Sequence, residues 1–220
     1  MTDSRTALKP TNATGWRRLR RPLALFALCG MTAIGLQGCI EMAVGTAVVG
    51  TIAATDRRTF GAQTEDKAIA LKGETRLANM GAGHVNVNSY NRKVLLTGEV
   101  SDEATKAAVE REIADIAGVQ SIVNDLVVAP PTSFSSRSND TLLTGKVKAS
   151  LIDAQDISAN SFKVVTERAV VYLMGRVTQR EGNRAAEIAR GVAGVQKVVK
   201  VFEYISEDDL RQMANTPARQ

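Results

Sequence analysis

Val94-Leu95-Leu96-Thr97-Gly98-Glu99-Val100 returns as Val171-Tyr172-Leu173-Met174-Gly175-Arg176-Val177, 77 residues further along the chain. A repeat of this kind decides the architecture before any single element does. Ile116-Ala117-Gly118-Val119-Gln120 returns as Val192-Ala193-Gly194-Val195-Gln196 at an offset of 76, and Ile69, Gly73 and Leu77 align with Leu143, Val147 and Leu151 at 74. The drift in offset places insertions in connections, where loops tolerate them. Between the copies, 129–138 (APPTSFSSRS) is rich in Pro and Ser and reads as a linker. Two tandem domains are therefore expected at 64–128 and 139–205.

Each copy reads αββαβ. A first helix, 65–79 or 140–152, carries apolar residues at helical spacing, and Asn139-Asp140 offers the second copy an N-cap. A hairpin follows, with strands at 84–89 and 93–100, then 161–166 and 169–177. Val94, Leu96 and Val171, Leu173 show the period-two pattern of a half-buried strand. Ser101-Asp102 caps a second helix (102–116), and Thr178 begins its counterpart (179–191). Gly118 and Gly194 stand where a helix must stop and turn. Closing strands at 121–128 and 197–205 lie parallel to their predecessors because a helix crosses over to them. The expected fold class is α+β, each domain a three-stranded mixed sheet packed against two helices. Gly98 and Gly175 mark a bulge or a close helix approach with no space for a side chain.

The chain ahead of the repeats has a different character. Arg17-Arg18-Leu19-Arg20-Arg21 precedes an apolar run from Leu23 to Ile34, then Leu36-Gln37-Gly38-Cys39. The run falls short of the ~20 residues of a membrane span and suits a cleaved signal peptide at 1–38. Leu-Gln-Gly-Cys resembles the lipobox of bacterial lipoproteins, which makes Cys39 the acylated residue and 39–63 a lipidated Gly/Ala-rich tether. Ile40 and Glu41 follow, with no Asp to signal inner-membrane retention, so the outer membrane is the expected destination. Cys29 is lost with the leader, leaving no partner for a disulfide. The formal charge of +5 also belongs to the leader: residues 1–38 hold six bases and one acid, and 39–220 hold 22 of each. A near-neutral mature chain removes the electrostatic case for binding nucleic acid.

Val94–Val100 with Ile116–Val119, and Val171–Val177 with Val192–Val195, resemble the BON domain family. With the lipobox and the stretch Val44-Gly45-Thr46-Ala47-Val48-Val49-Gly50, the whole chain is similar to the dual BON-domain outer-membrane lipoproteins. That resemblance implies binding to anionic phospholipid through the first helix of the second domain and support of envelope integrity. An alternative is a periplasmic adaptor for outer-membrane assembly or division proteins, with Glu110, Glu112 and Asp115 of the acidic first domain at its working face.

Little in the residues points to catalysis. His84 is the only imidazole and no free thiol accompanies it, so an ordinary zinc site, a nucleophile–base pair and a cofactor motif are all missing from the sequence pattern. Glu207-Asp208-Asp209 reads as a solvated run in a C-terminal tail, 206–220, that forms a short helix. No enzyme activity, metal or cofactor is expected.

The two copies differ in charge. Residues 64–128 hold seven bases and ten acids, whereas 139–205 hold ten bases and seven acids. Leu142 lies off the Leu143, Val147, Leu151 stripe, beside Lys146 and Lys148, and its partner in the first copy is only Ala68. An exposed apolar residue bordered by lysines suits an anionic bilayer; a single apolar surface residue packing locally is the plainer alternative. Together with the resemblance, this makes Leu142, Leu143, Lys146, Val147, Lys148, Ser150, Leu151, Ile152 and Ile157 the candidate lipid-contacting set. Family relatives carry an aromatic where this chain has Leu142, a weaker anchor.

Overall fold

The computed structural model describes residues 56–215, so the leader, Cys39 and the Gly/Ala-rich stretch lie outside the described residues. The first copy comprises α1 (Phe60–Met80), β1 (His84–Tyr90), β2 (Lys93–Val100), α2 (Glu103–Ala114), β3 (Ser121–Asn124) and β4 (Val127–Val128). The second comprises α3 (Phe134–Asp153), a 3-10 turn (Ala159–Ser161), β5 (Phe162–Glu167), β6 (Val170–Val177), α4 (Gln179–Gly191) and β7 (Lys197–Tyr204), followed by α5 (Glu207–Asn215). In both copies the hairpin is antiparallel and the closing strand runs parallel to the hairpin's second strand. The class is α+β with two mixed sheets.

The closing strand of the first copy is broken rather than continuous over 121–128. Leu126 turns into the core and is buried, while its N–H is taken by Asn124 Oδ1 at 3.2 Å. Pairing with β2 then resumes at Val127. Burying one leucine, about 1.5–3 kcal/mol, outweighs the ladder bond lost at the break.

Both first helices begin earlier than their apolar spacing suggests. Thr59 caps α1 by accepting from Ala62 N, and Ser133 caps α3 by accepting from Ser136 N. Residues 134–138, expected in the linker, are therefore helix. Ser138 and Thr141 bond their hydroxyls to carbonyls one turn back, which accommodates a polar run in a helical backbone. Asn139-Asp140 is not an N-cap. Asp140 lies within α3, buried, and accepts the backbone N–H groups of Arg168 and Ala169 in the β5–β6 turn at 2.9 and 2.8 Å. Asp66 of α1 does the same for Asn91 N and Arg92 N at 2.6 and 2.8 Å in the β1–β2 turn. All four turn residues have positive φ, a conformation that non-glycine side chains resist, and the carboxylates hold them there. Burial alone would push the Asp66 carboxyl up. The bonds from Ser89, Arg92, Arg58 and Asn91 outweigh that and hold it below the ordinary carboxylate value.

Thr178 caps α4 with a full capping box through Glu181, and Asp102 caps α2. At Gly98 the close neighbour is the paired strand and not a helix: φ is +118°, and a Cβ there would clash with the His84 carbonyl oxygen. At Gly175 the obstacle is the Ser161 carbonyl at 2.4 Å. Gly118 and Gly194 follow their helices with positive φ.

β2 and β6 are buried on both faces, not half-buried. Val94 and Leu96 face the helices of the first copy, and Val171 and Leu173 those of the second. Leu95, Tyr172, Met174, Tyr90 and Val201 point the other way and form a third core between the two sheets. Polar links border it: Tyr172 Oη donates to Asp125 Oδ2 at 2.8 Å, Asn91 Nδ2 to Glu203 Oε2 at 2.6 Å, and Lys93 Nζ to the Phe202 carbonyl at 3.0 Å. Arg57, ahead of α1, grips Glu181 of α4 at 2.7 and 2.8 Å and the Arg176 carbonyl at 3.0 Å. The segment entering the first domain is thus strapped to the second.

Candidate functional site

An α-helix turns about 100° per residue, so Leu143, Val147 and Leu151 line one side of α3 while Leu142 stands about 140° around from Val147. The first three are buried in the second domain's core. They cannot touch a bilayer, and their place in the expected lipid-contacting set is corrected: they hold the helix on its sheet. Leu142 is 65% exposed and Ile152 69% exposed. Lys146 and Lys148 are exposed and Ser150 is half-buried. No carboxylate pairs with either lysine among the described residues. Ile157 is half-buried against the domain core and contributes more to packing than to the surface.

The sequence reading missed Phe134. Its side chain is 80% exposed at the first residue of α3. Assigned to the linker, it carried no helical phase. Ile152 lies 18 residues further, five helical turns, and so emerges on the same line. Leu142 falls between them in height, about 12 Å along the axis from Phe134 and about 15 Å from Ile152, and about 80° around from their line. Gly145 and Ala149, both exposed and both small, complete the face. The recoverable signal was Ser133 three residues before Ser136, which reads as an N-cap once the helix is allowed to start early.

Chemically, the face offers an aromatic, two aliphatic side chains and two unpaired ammonium groups along a helix of 20 residues. Asp153, exposed at its end, is the acid that interrupts it. Beyond it, Asp156 is held by Arg184 at 2.8 Å, and Arg180 Nη1 donates to the Asp156 carbonyl at 3.2 Å. That link fixes the loop after α3 against α4. Among the described residues no helix is long and apolar enough to cross a membrane.

The BON domain family matches twice, over residues 65–130 and 139–206. The chain is 37% identical over 188 residues to "Outer membrane lipoprotein DolP" of Haemophilus influenzae, covering 84% of this chain and 97% of that protein. It is 30% identical to the "21 kDa hemolysin" of Actinobacillus pleuropneumoniae, with 68% of this chain and 79% of that protein covered. It is also 30% identical to "Osmotically-inducible protein Y" of Escherichia coli, covering 61% and 70% respectively.

Proposed function

The chain belongs to the BON domain family, and on that footing we propose that it is a DolP-like, envelope-associated outer-membrane lipoprotein that binds anionic phospholipid through α3 of its second domain. Its attachment is through acylated Cys39, with the two domains facing the periplasm, and its work is binding, with no chemical turnover. The observation that carries the reading is the band of Phe134, Leu142 and Ile152, spread over about 80° on the solvent side of α3, with Lys146 and Lys148 unpaired on its two flanks. Large apolar side chains exposed in a row are costly in water and favourable at the headgroup–acyl boundary. Each nearby lysine adds about 1 kcal/mol at an anionic surface. The basic balance of the second copy, ten bases to seven acids, acts in the same direction. Phe134 supplies the aromatic anchor that Leu142 does not, two turns towards the helix N-terminus.

Co-sedimentation of a soluble form, residues 56–220, with vesicles containing phosphatidylglycerol or cardiolipin tests this directly. Binding is expected only to anionic vesicles and falls with added salt. Leu142→Glu should weaken it at least about tenfold, since one leucine buried at an interface contributes about 1.5–3 kcal/mol. Its circular dichroism should match the parent, because Leu142 is not in the core. Equal binding by the parent and Leu142→Glu overturns the assignment of this face.

A further inference from the structure

We propose that His84, Glu99 and Glu167 form a binding site for one divalent transition-metal ion of the zinc class at the junction of the two domains. His84 opens β1 and pairs in register with Glu99 of β2, while Glu167 closes β5 in the other domain. One donor atom from each of the three lies within 4.8 Å of the others, and His84 Nδ1 is 3.1 Å from Glu99 Oε2. The sequence concealed this grouping, because His84 and Glu99 share a hairpin whereas Glu167 comes from the other repeat.

The two carboxylates are 1% and 6% exposed, whereas the His84 side chain is 21% exposed and forms the mouth. Outer partners hold the carboxylates in place. Thr132 N donates to Glu99 Oε2 at 3.2 Å, and Asn86 Nδ2 donates to Glu167 Oε2 at 2.7 Å. Such bonds are what orient ligands around a metal. Arg168 Nη1 lies 3.5 Å from Glu99 Oε1, whereas no lysine or arginine pairs with Glu167 among the described residues.

The donor set decides which cation. One imidazole nitrogen with two carboxylate oxygens suits zinc and its neighbours, whereas calcium takes six to eight oxygens and magnesium retains its waters in an octahedron. Bonds of about 2.0–2.2 Å place tetrahedral donors about 3.4 Å apart, so the cluster contracts by at most about 1.5 Å on taking the ion. A cavity of about 340 Å³ beside the cluster, lined in part by Glu74, Asn88, Asp140 and Thr141, leaves room for water as a fourth ligand. An ion held this way ties β1 and β2 of the first domain to β5 of the second.

The test uses the untagged full chain in detergent, stripped with chelator and then titrated with zinc chloride or cobalt(II) chloride. His84 is the only histidine, so its imidazole proton resonances are a direct reporter in the unmodified protein. One equivalent of zinc should shift them, and calorimetry should give a stoichiometry of one. Cobalt should develop visible d–d absorption. His84→Ala and Glu167→Gln should each weaken binding at least tenfold, and Glu187→Gln, at an exposed position of α4, should leave it unchanged. The proposal is overturned if the His84 resonances stay still through a tenfold excess of zinc. Affinity that survives both His84→Ala and Glu167→Gln overturns it equally, by placing the metal elsewhere.

Discussion

Asp140 Oδ1, buried inside α3, accepts the backbone N–H of Ala169 at 2.8 Å, and its second oxygen takes Arg168 N at 2.9 Å. One carboxylate thereby fastens the first helix of the domain to the tip of its hairpin. Asp66 occupies the same place in the other copy, 74 residues earlier. Replacing Asp140 by Ala strands both N–H groups. A buried unmet donor costs about 1–3 kcal/mol, so Asp140→Ala should destabilise the protein by about 2–4 kcal/mol in urea unfolding at pH 7. A loss below about 1 kcal/mol would mean that water replaces the carboxylate and that the clamp contributes little.

The same turn predicts a change of opposite sign. Ala169 has φ +59° and Arg168 φ +52°. A left-handed backbone costs a non-glycine residue about 1 kcal/mol that glycine is spared. Ala169→Gly keeps the N–H that Asp140 accepts and the carbonyl that receives Gln196 N. It should raise stability by about 0.5–1 kcal/mol, read as a higher urea midpoint with an unchanged slope. A lower midpoint would show that the Ala169 methyl packs better than its backbone suffers.

Lys163 sets a pH dependence on the alkaline side. Burial lowers its pKa to about 8, with Arg58 and Lys148 adding repulsion against the pull of Asp66 and Glu74. Its Nζ donates to the Ser89 carbonyl across the domain junction at 3.3 Å. Below pH 8 the ammonium is charged in both states and folding carries the full penalty of burying it. Between about 8 and the ordinary value of 10.5, the unfolded chain binds more protons than the folded one, so this group makes stability rise with pH. Lys163→Met should therefore be more stable than the parent at pH 7, with the difference shrinking towards pH 10. Parallel stability curves for the two proteins across that range would contradict the assignment.

The sequence alone determined the repeat, the αββαβ order and the helix-facing residues Val94, Leu96, Val171 and Leu173, because these follow from periodicity and local caps that each copy states twice. The exposed Leu142 was legible for the same reason, as a position off a regular apolar stripe, and Ile152 as an apolar residue flanking the polar turn at 153–156. Tertiary structure decided what periodicity does not encode. Leu95, Tyr172 and Met174 are buried because one sheet meets the other, and a continuous apolar strand does not say what covers its second face. Asp140 resembled a helix cap, and only the approach of the hairpin turn made it an interior acceptor. Phe134 joined the candidate face once Ser133 proved to be the cap. Glu167 joins His84 and Glu99, which face each other in one hairpin, because two copies of one fold pack together, a long-range contact that no local pattern records.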